Sequence, residues 1–210
     1  MGLNLLLPTV FMKAVITDFA GVLVYDGFPP TVGKYARTYG VPEEELQKAK
    51  DNFWSDFSLG KMRAIEYWYS VFNEVDLELN KFEIDKINKD VLEAHYPHKC
   101  AFDFFKALKG TEIKTCLLTN TPKEWFVELD GKFGLSELFD LIVIPYRVGY
   151  RKPETVIYSL PIQEFGIEPA EAVYLDDQLR MVKPALDIGM NGVQFVPKNG
   201  CNMPIKLDGL

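Results

Sequence analysis

The sequence predicts an α/β protein whose core is a doubly wound parallel sheet, with an all-helical insertion after the first strand. Three observations predict this fold class. Short buried runs such as MKAVIT (12–17) alternate with helical segments after residue 98, helical spacing alone fills residues 31–96, and 210 residues suffice for one large domain with an insert. Strands that alternate with helices imply right-handed crossovers and therefore a parallel sheet.

The elements can be placed in chain order. After the first strand, GVLVYDGFPP (21–30) contains two glycines and two prolines and predicts a turn or small hairpin. Pro42 is followed by acidic residues 43–45 and therefore predicts the start of a helix. Pro161 is expected to kink or split its helix. Helices are expected within 31–40, 41–54, 61–75, 81–95, 101–110, 123–134, 153–166 and 183–189, and further strands within 113–120, 138–145, 172–177 and 192–197.

Composition limits the classes of function. A net charge of -7 argues against a general nucleic-acid-binding protein, which would carry a basic face. The three cysteines form no CxxC pair, so we expect free thiols in a reducing compartment and a cytoplasmic location. Residues 1–11 are apolar but too short to span a membrane, and they lack the basic start of a secretory signal. We expect no membrane partner, and three interpretations of residues 1–11 stay open: a short extension, an overlong assignment of the start, or an apolar tail packed on the surface.

Polar side chains follow the predicted core strands where those strands end. Asp18 follows the first strand and Lys152 lies in the GYRKP loop after the third, while two pairs, Thr119–Asn120 and Asp176–Asp177, follow the second and fourth. Ligands of open α/β sheets bind beyond the carboxyl ends of the strands. The sequence therefore predicts one site at this edge of the sheet.

The three carboxylates at this edge would repel one another. At about 4 Å each like-charged pair costs on the order of 4 kcal/mol, even at an effective dielectric constant near 20. A divalent cation, Lys152 or both must offset this repulsion. An all-oxygen ligand set favours Mg²⁺ over zinc, and Mg²⁺ beside a lysine is a good receptor for a phosphoryl group. Asp18 then faces phosphorus as a nucleophile, and the Thr119 hydroxyl and nearby backbone amides donate hydrogen bonds.

Four segments of the chain resemble the four motifs of the haloacid dehalogenase-like (HAD) hydrolase superfamily. DFAGVL after an apolar strand resembles the first motif, LLTN the second, RKPETVIY the third and VYLDDQLRMVKPALDIG the fourth. The resemblance implies a Rossmann-like core formed by residues 1–28 and 98–210. It also implies that residues 29–97 form a helical cap of the C1 type.

The resemblance also implies roles for individual residues. Asp18 would be the nucleophile and, with the Ala20 backbone carbonyl, Asp176 and Asp177, a ligand of Mg²⁺. Thr119 and Lys152 would be catalytic and would also hold phosphate oxygens, together with Asn120 and Gly21. The implied activity is that of a Mg²⁺-dependent phosphatase acting on a small phosphorylated metabolite through an aspartyl-phosphate, in a monomer or small homo-oligomer.

Ala20 departs from the phosphatases of this superfamily, which usually carry a second aspartate as general acid and base at this position. General acid–base catalysis is typically worth about 10²–10⁴-fold. In one explanation the substrate has a good leaving group, or the cap supplies the acid from Tyr35, Lys61, Glu66 or Tyr67. In another, the protein resembles the phosphonatases, and a cap lysine, with Lys61 the first candidate, attacks a phosphonoaldehyde. In a third, the protein is a weak enzyme that binds a phosphate ligand in a regulatory role.

The remaining cap residues have structural interpretations. The other lysines of this region, such as Lys34, Lys48, Lys50 and Lys81, are expected on solvated faces. The aromatic residues of 53–72 are expected mainly in the cap core, with a few facing the site. His95 and His98 are expected at a hinge or on the surface. Arg151, next to Lys152, is a candidate for an additional phosphate contact.

Overall fold

The structure, a computed structural model, describes residues 12–195 and 203–204, so the predicted extension at residues 1–11 lies outside the described part. The strands are β1 Ala14–Thr17, β2 Val24–Tyr25, β3 Tyr96–Pro97, β4 Lys114–Leu118, β5 Leu141–Val143, β6 Ala172–Asp176 and β7 Asn191–Gln194. The helices are α1 Phe28–Tyr39, α2 Glu43–Ser58, α3 Ala64–Asn73, α4 Lys81–Glu93, α5 Lys99–Leu108, α6 Lys123–Phe133, α7 Leu135–Leu138, α8 Pro145–Val148, α9 Thr155–Phe165 and α10 Leu179–Asp187.

Five of the strands form one parallel sheet in the order β5-β4-β1-β6-β7. Alternate residues of β1 enter different hydrophobic clusters, Val15 on one face and Ile16 on the other, as the two-residue period of a strand requires. Side chains of α5 and α6 cover the first face, and side chains of α9 cover the second. The predicted doubly wound α/β core is confirmed.

Helices α1–α4 form the predicted helical insertion between β1 and β4. The strands β2 and β3, which pair antiparallel, join this insertion to the core. The α4 helix begins with a capping box in which Asn80 and Glu83 satisfy each other's backbone N–H groups. The α1 helix ends at Gly40, which has the left-handed φ of 71° that favours glycine. The domain bounds at 28/29 and 97/98 remain a proposal.

The core of the cap extends to the sheet through Trp125 of α6. The Asn88 side chain of α4 accepts hydrogen bonds from the indole N–H groups of Trp68 (3.2 Å) and Trp125 (2.7 Å). Trp125 also packs edge-on against Phe28 and Phe57, with ring centroids 5.1 and 5.2 Å apart. The Asn88 side chain therefore connects α6 of the core to α3 and α4 of the cap through hydrogen bonds.

Several sequence predictions need correction. The strand expected over 138–145 is limited to β5 and flanked by the one-turn helices α7 and α8. Pro161 does not split α9, which runs as one helix with the proline in its interior. Cys116 is a buried free thiol as expected, but Cys100 is disulfide-bonded, so the prediction of free thiols is wrong for Cys100. Among the described residues no helix is long and apolar enough to cross a bilayer.

Candidate active site

The first feature of the site is a buried lysine between two carboxylates. Lys152 is 2% exposed, and its Nζ lies 2.8 Å from Oδ1 of Asp18 and 2.9 Å from Oδ2 of Asp176. It also donates to the Tyr174 hydroxyl at 2.9 Å. Asp18 directly follows β1 and Asp176 ends β6, and these neighbouring parallel strands bring the two acids to the same edge. Tyr174 was not identified from the sequence because its position within a buried strand suggests only packing.

The loop that carries Lys152 is held in place by Asn120. The Asn120 side chain donates to the Lys152 carbonyl and accepts from the Lys152 N–H, both at 2.9 Å. Both polar atoms of the Asn120 side chain therefore bind the Lys152 backbone. The predicted contact of Asn120 with phosphate remains a proposal, in which the backbone N–H of Asn120 would be the donor. Thr119 and Thr121 lie beside it with their hydroxyl oxygens 2.8 Å apart.

The third carboxylate completes a cluster of three. Ligand oxygens of Asp18, Asp176 and Asp177 all lie within 4.8 Å of one another. Oδ1 of Asp177 is buried and has no hydrogen-bond partner among the described residues. Gly21, with φ 88°, packs against this carboxylate so closely that a Cβ would lie 2.4 Å from the Asp177 Cγ. Glycine at position 21 therefore leaves room for the acid.

Burial and charge change the titration of this cluster. Burial raises the pKa of Asp18 to about 7 against the opposing effect of Lys152, and burial together with Asp176 raises the pKa of Asp177 to about 6. Burial would also raise the pKa of Asp176, but Lys152, Tyr174 and the backbone N–H of Gln178 hold it below its ordinary value. Although burial disfavours its charge, the two carboxylates raise the pKa of Lys152, which remains an ammonium ion.

The cluster opens into a cavity of about 380 Å³ between the sheet edge and the cap. The predicted residues that line it are Asp18, Ala20, Thr119, Asn120 and Lys152. Arg151, the additional candidate next to Lys152, also lines it. Further lining residues that the sequence did not place there include Asp26, Lys50, Asp51, His95, Trp125 and Arg180. Trp54 is the cap aromatic residue of 53–72 that lines the cavity. A volume of this size suits a small-molecule ligand.

The cap residues considered as substitutes for the missing acid do not line the cavity. The Tyr35 hydroxyl donates to Asp90 at 2.7 Å, and the Lys61 ammonium is exposed and pairs with Asp56 at 3.0 Å. Glu66 binds the Arg63 side chain, and Tyr67 is fully buried. The cavity wall contains none of these four side chains, so their assignment as a source of protons is not supported.

Two cap residues that the sequence did not place at the site, Lys50 and His95, line the cavity. Burial contradicts the surface position expected for His95, and the hinge position stays a prediction. Lys50 lines the cavity, with its Nζ 2.7 Å from Asp51 and 4.7 Å from the Phe28 ring centroid, so its predicted solvated position is wrong. His95 is 4% exposed and also lines the cavity. Its Nδ1–H donates to the Val91 carbonyl at 2.8 Å, and burial lowers its pKa. No sequence signal separates these residues from ordinary cap residues.

Comparison with known proteins gives a consistent result. A family model described as haloacid dehalogenase-like hydrolase matches residues 12–189. The chain is 24% identical over 186 residues to flavin mononucleotide hydrolase 1 of the Arabidopsis thaliana chloroplast, covering 88% of this chain and 72% of that protein. It is 26% identical over 210 residues to a phosphorylated carbohydrates phosphatase of Thermotoga maritima, covering 88% of this chain and 85% of that protein.

Among solved structures, the fold is similar to that of a HAD family enzyme of Bacteroides thetaiotaomicron in complex with magnesium and inorganic phosphate. The TM-score is 0.70 at 19% identity, over 92% of this chain and 98% of that one. Some curated relatives are much longer, and the chain spans 27% of the length of the bifunctional epoxide hydrolases 2 of rat and mouse.

Proposed function

The chain belongs to the haloacid dehalogenase-like hydrolases, and from this we propose that it is a Mg²⁺-dependent phosphatase of small phosphorylated metabolites. The single observation that carries the proposal is the bridge from Lys152 to Asp18 and Asp176 at the cavity floor. A phosphatase named for phosphorylated carbohydrates among the relatives supports the same class of substrate. The cytoplasmic location and the small oligomer predicted from the sequence stay predictions.

The residues present fit a magnesium ion. Three carboxylates within 4.8 Å of one another offer only oxygen ligands, and the buried Oδ1 of Asp177 lacks a partner among the described residues. We propose that Asp18, Asp176, Asp177 and the Ala20 carbonyl hold the ion. When bound, it would neutralise charge on the carboxylates and polarise the phosphoryl oxygens.

The chain's own residues account for the two chemical steps. Lys152 fixes the orientation of the Asp18 carboxylate and favours its charged form, so that one carboxylate oxygen attacks phosphorus while the bond to the leaving oxygen breaks. Thr119, Lys152 and backbone amides near Gly21 hold the phosphoryl oxygens. Water then attacks the aspartyl-phosphate, which releases inorganic phosphate and restores Asp18.

Ala20 has no proton to give to the leaving oxygen in the first step. The lost general acid–base catalysis typically accelerates such a reaction by about 10²–10⁴-fold. We therefore propose that the enzyme turns over substrates with good leaving groups, which depart without protonation. A cap lysine acting on a phosphonate is less favoured, because Lys61 does not line the cavity and the Lys50 amine is paired with Asp51.

The test is release of phosphate with Mg²⁺ from acetyl phosphate, 4-nitrophenyl phosphate and an alkyl phosphate. Asp18→Asn should abolish turnover and keep the fold, whereas Asp187→Asn, an exposed acid at the end of α10, should change nothing. Turnover of acetyl phosphate and 4-nitrophenyl phosphate by the wild type but not by Asp18→Asn is the expected result. Retained activity in Asp18→Asn, or none in the wild type, would refute the proposal.

A second variant tests the explanation of Ala20. Ala20→Asp restores a carboxylic acid at the cavity wall, and we expect it to raise kcat on the alkyl phosphate by at least about tenfold. The reason is that poor leaving groups depend most on protonation. No gain in a variant that still binds Mg²⁺ would show that a missing acid is not what limits turnover.

A further inference from the structure

We propose that Arg151 and Arg180 form a subsite for a second anionic group, so that the preferred substrate carries a carboxylate or phosphate besides the phosphoryl group that is transferred. The inference rests on the proposed phosphatase function for the position of that phosphoryl group. It names the class of substrate that the same cavity selects.

Two separate elements bring these guanidinium groups to one cavity. Arg151 directly precedes Lys152, and Arg180 lies in the first turn of α10, three residues after Asp177. Both line the cavity. Arg180 is exposed, and its Nε donates to the Gln178 side chain at 2.9 Å, which orients the guanidinium group.

The two arginines lack anionic partners. Within the part of the chain that the structure describes, neither guanidinium group forms an ion pair, and Nε of Arg151 is buried without a hydrogen-bond acceptor. The Glu154 carboxylate accepts a hydrogen bond from the Arg151 backbone N–H at 2.9 Å and not from its guanidinium group. A buried donor without an acceptor is costly. Burial lowers the pKa of Arg151, and the charge of Arg180 lowers it further, whereas Glu154 and Asp51 act in the opposite direction. An anionic ligand would supply the missing acceptor and offset the repulsion.

The transferred phosphoryl group does not account for this positive charge. Lys152 lies where it would face that group, and a Mg²⁺ ion held by the three carboxylates would add further positive charge there. The two guanidinium groups are additional, and their planar donor arrays match a carboxylate or phosphate. We therefore assign them to a different part of the substrate.

The cavity wall indicates what separates the two anionic groups. Phe28 and Trp54 of the cap and Trp125 of the core line it, with ring centroids 5.1–5.7 Å apart. Flat apolar walls of this kind favour an aromatic or apolar spacer. The volume of about 380 Å³ limits the whole substrate to a small molecule.

The test compares two aryl phosphates whose leaving groups have similar pKa values, 4-methylphenyl phosphate and 4-(carboxymethyl)phenyl phosphate. We expect the wild type to prefer the carboxylated ester by at least about tenfold in kcat/KM, which corresponds to about 1.4 kcal/mol. Arg151→Gln and Arg180→Gln should bring this ratio close to one. Lys183→Gln, an exposed cation of the same helix, should leave it at the wild-type value.

A binding measurement separates this inference from the phosphatase proposal. The matched 4-methylbenzyl- and 4-(carboxymethyl)benzylphosphonates cannot be hydrolysed in this way, and their affinities with Mg²⁺ are measured by calorimetry. A carboxylate preference that both arginine variants lose would support the subsite even in a protein without turnover. Equal affinities or equal kcat/KM values in the wild type, or a preference that both variants keep, would overturn it while leaving the phosphatase proposal intact.

Discussion

Replacing Lys152 by methionine should destabilise the folded protein more than any change of a surface charge. The ammonium group of Lys152 lies 2.8 and 2.9 Å from two carboxylates and is 2% exposed. Removing one partner of a buried ion pair costs about 3–5 kcal/mol, because the other charge is left uncompensated. Protonation of Asp18, whose pKa is already about 7, relieves part of that cost. We therefore expect a loss of about 3 kcal/mol near pH 8 without metal.

The pH dependence of this loss has a definite sign. Without Lys152 the two carboxylates have higher pKa values folded than unfolded, so the folded variant binds more protons than its unfolded chain. The stability of Lys152→Met relative to that of the wild type therefore falls as pH rises above the pKa range of carboxylates in the unfolded chain. The loss should accordingly be smaller near pH 5.5 than near pH 8.

Urea unfolding followed by tryptophan fluorescence, with EDTA present, measures this loss. Asp18→Asn combined with Lys152→Met should recover part of the stability, because only the Asp176 carboxylate is then left without its cationic partner. Lys183→Met, at an exposed position, should stay within about 0.5 kcal/mol of the wild type. A loss below about 1 kcal/mol near pH 8 for Lys152→Met, or a larger loss at acidic pH, would refute the reasoning.

Three further changes test other contacts. Gly21→Ala should weaken Mg²⁺ binding measured by calorimetry, because its Cβ would displace the Asp177 carboxylate, whereas Gly131→Ala adds a methyl group in open space. Asn88→Ala removes the acceptor of two indole N–H groups and should lower the free energy of unfolding by about 2 kcal/mol. Burial lowers the pKa of His95, so the contribution of this residue to stability should fall as pH drops below about 6.5, whereas the raised pKa values of Asp18 and Asp177 act in the opposite direction. The stability of His95→Gln relative to the wild type should therefore rise over this range.

Each of these three predictions has an outcome that would contradict it. Equal Mg²⁺ affinities for the two glycine variants would mean that the close approach at Gly21 does not position the acid. Unchanged urea midpoint and slope in Asn88→Ala would mean that the indoles find other partners. Equal pH dependence of stability in His95→Gln and the wild type would mean that the imidazole has the same pKa in the folded and the unfolded chain.

The sequence alone determined the α/β core, the helical insertion and the principal acids of the site. Strand periodicity identifies β1, β4 and β6, and the carboxyl ends of parallel strands must meet at one edge. Asp18 and Asp176 could therefore be placed together before any coordinates were known. Their proximity follows from topology and needs no knowledge of side-chain packing.

Only the tertiary structure decided which cap residues face the cavity and that Arg180 lines it together with Arg151. Lys50 and His95 look like ordinary residues of an amphipathic cap, and their positions depend on how the cap packs on Trp125. The role of Asn120 also depends on tertiary structure, because its side-chain amide binds the backbone of Lys152, 32 residues further along the chain. Local periodicity fixes which element a residue belongs to, but long-range packing fixes which surface that residue meets.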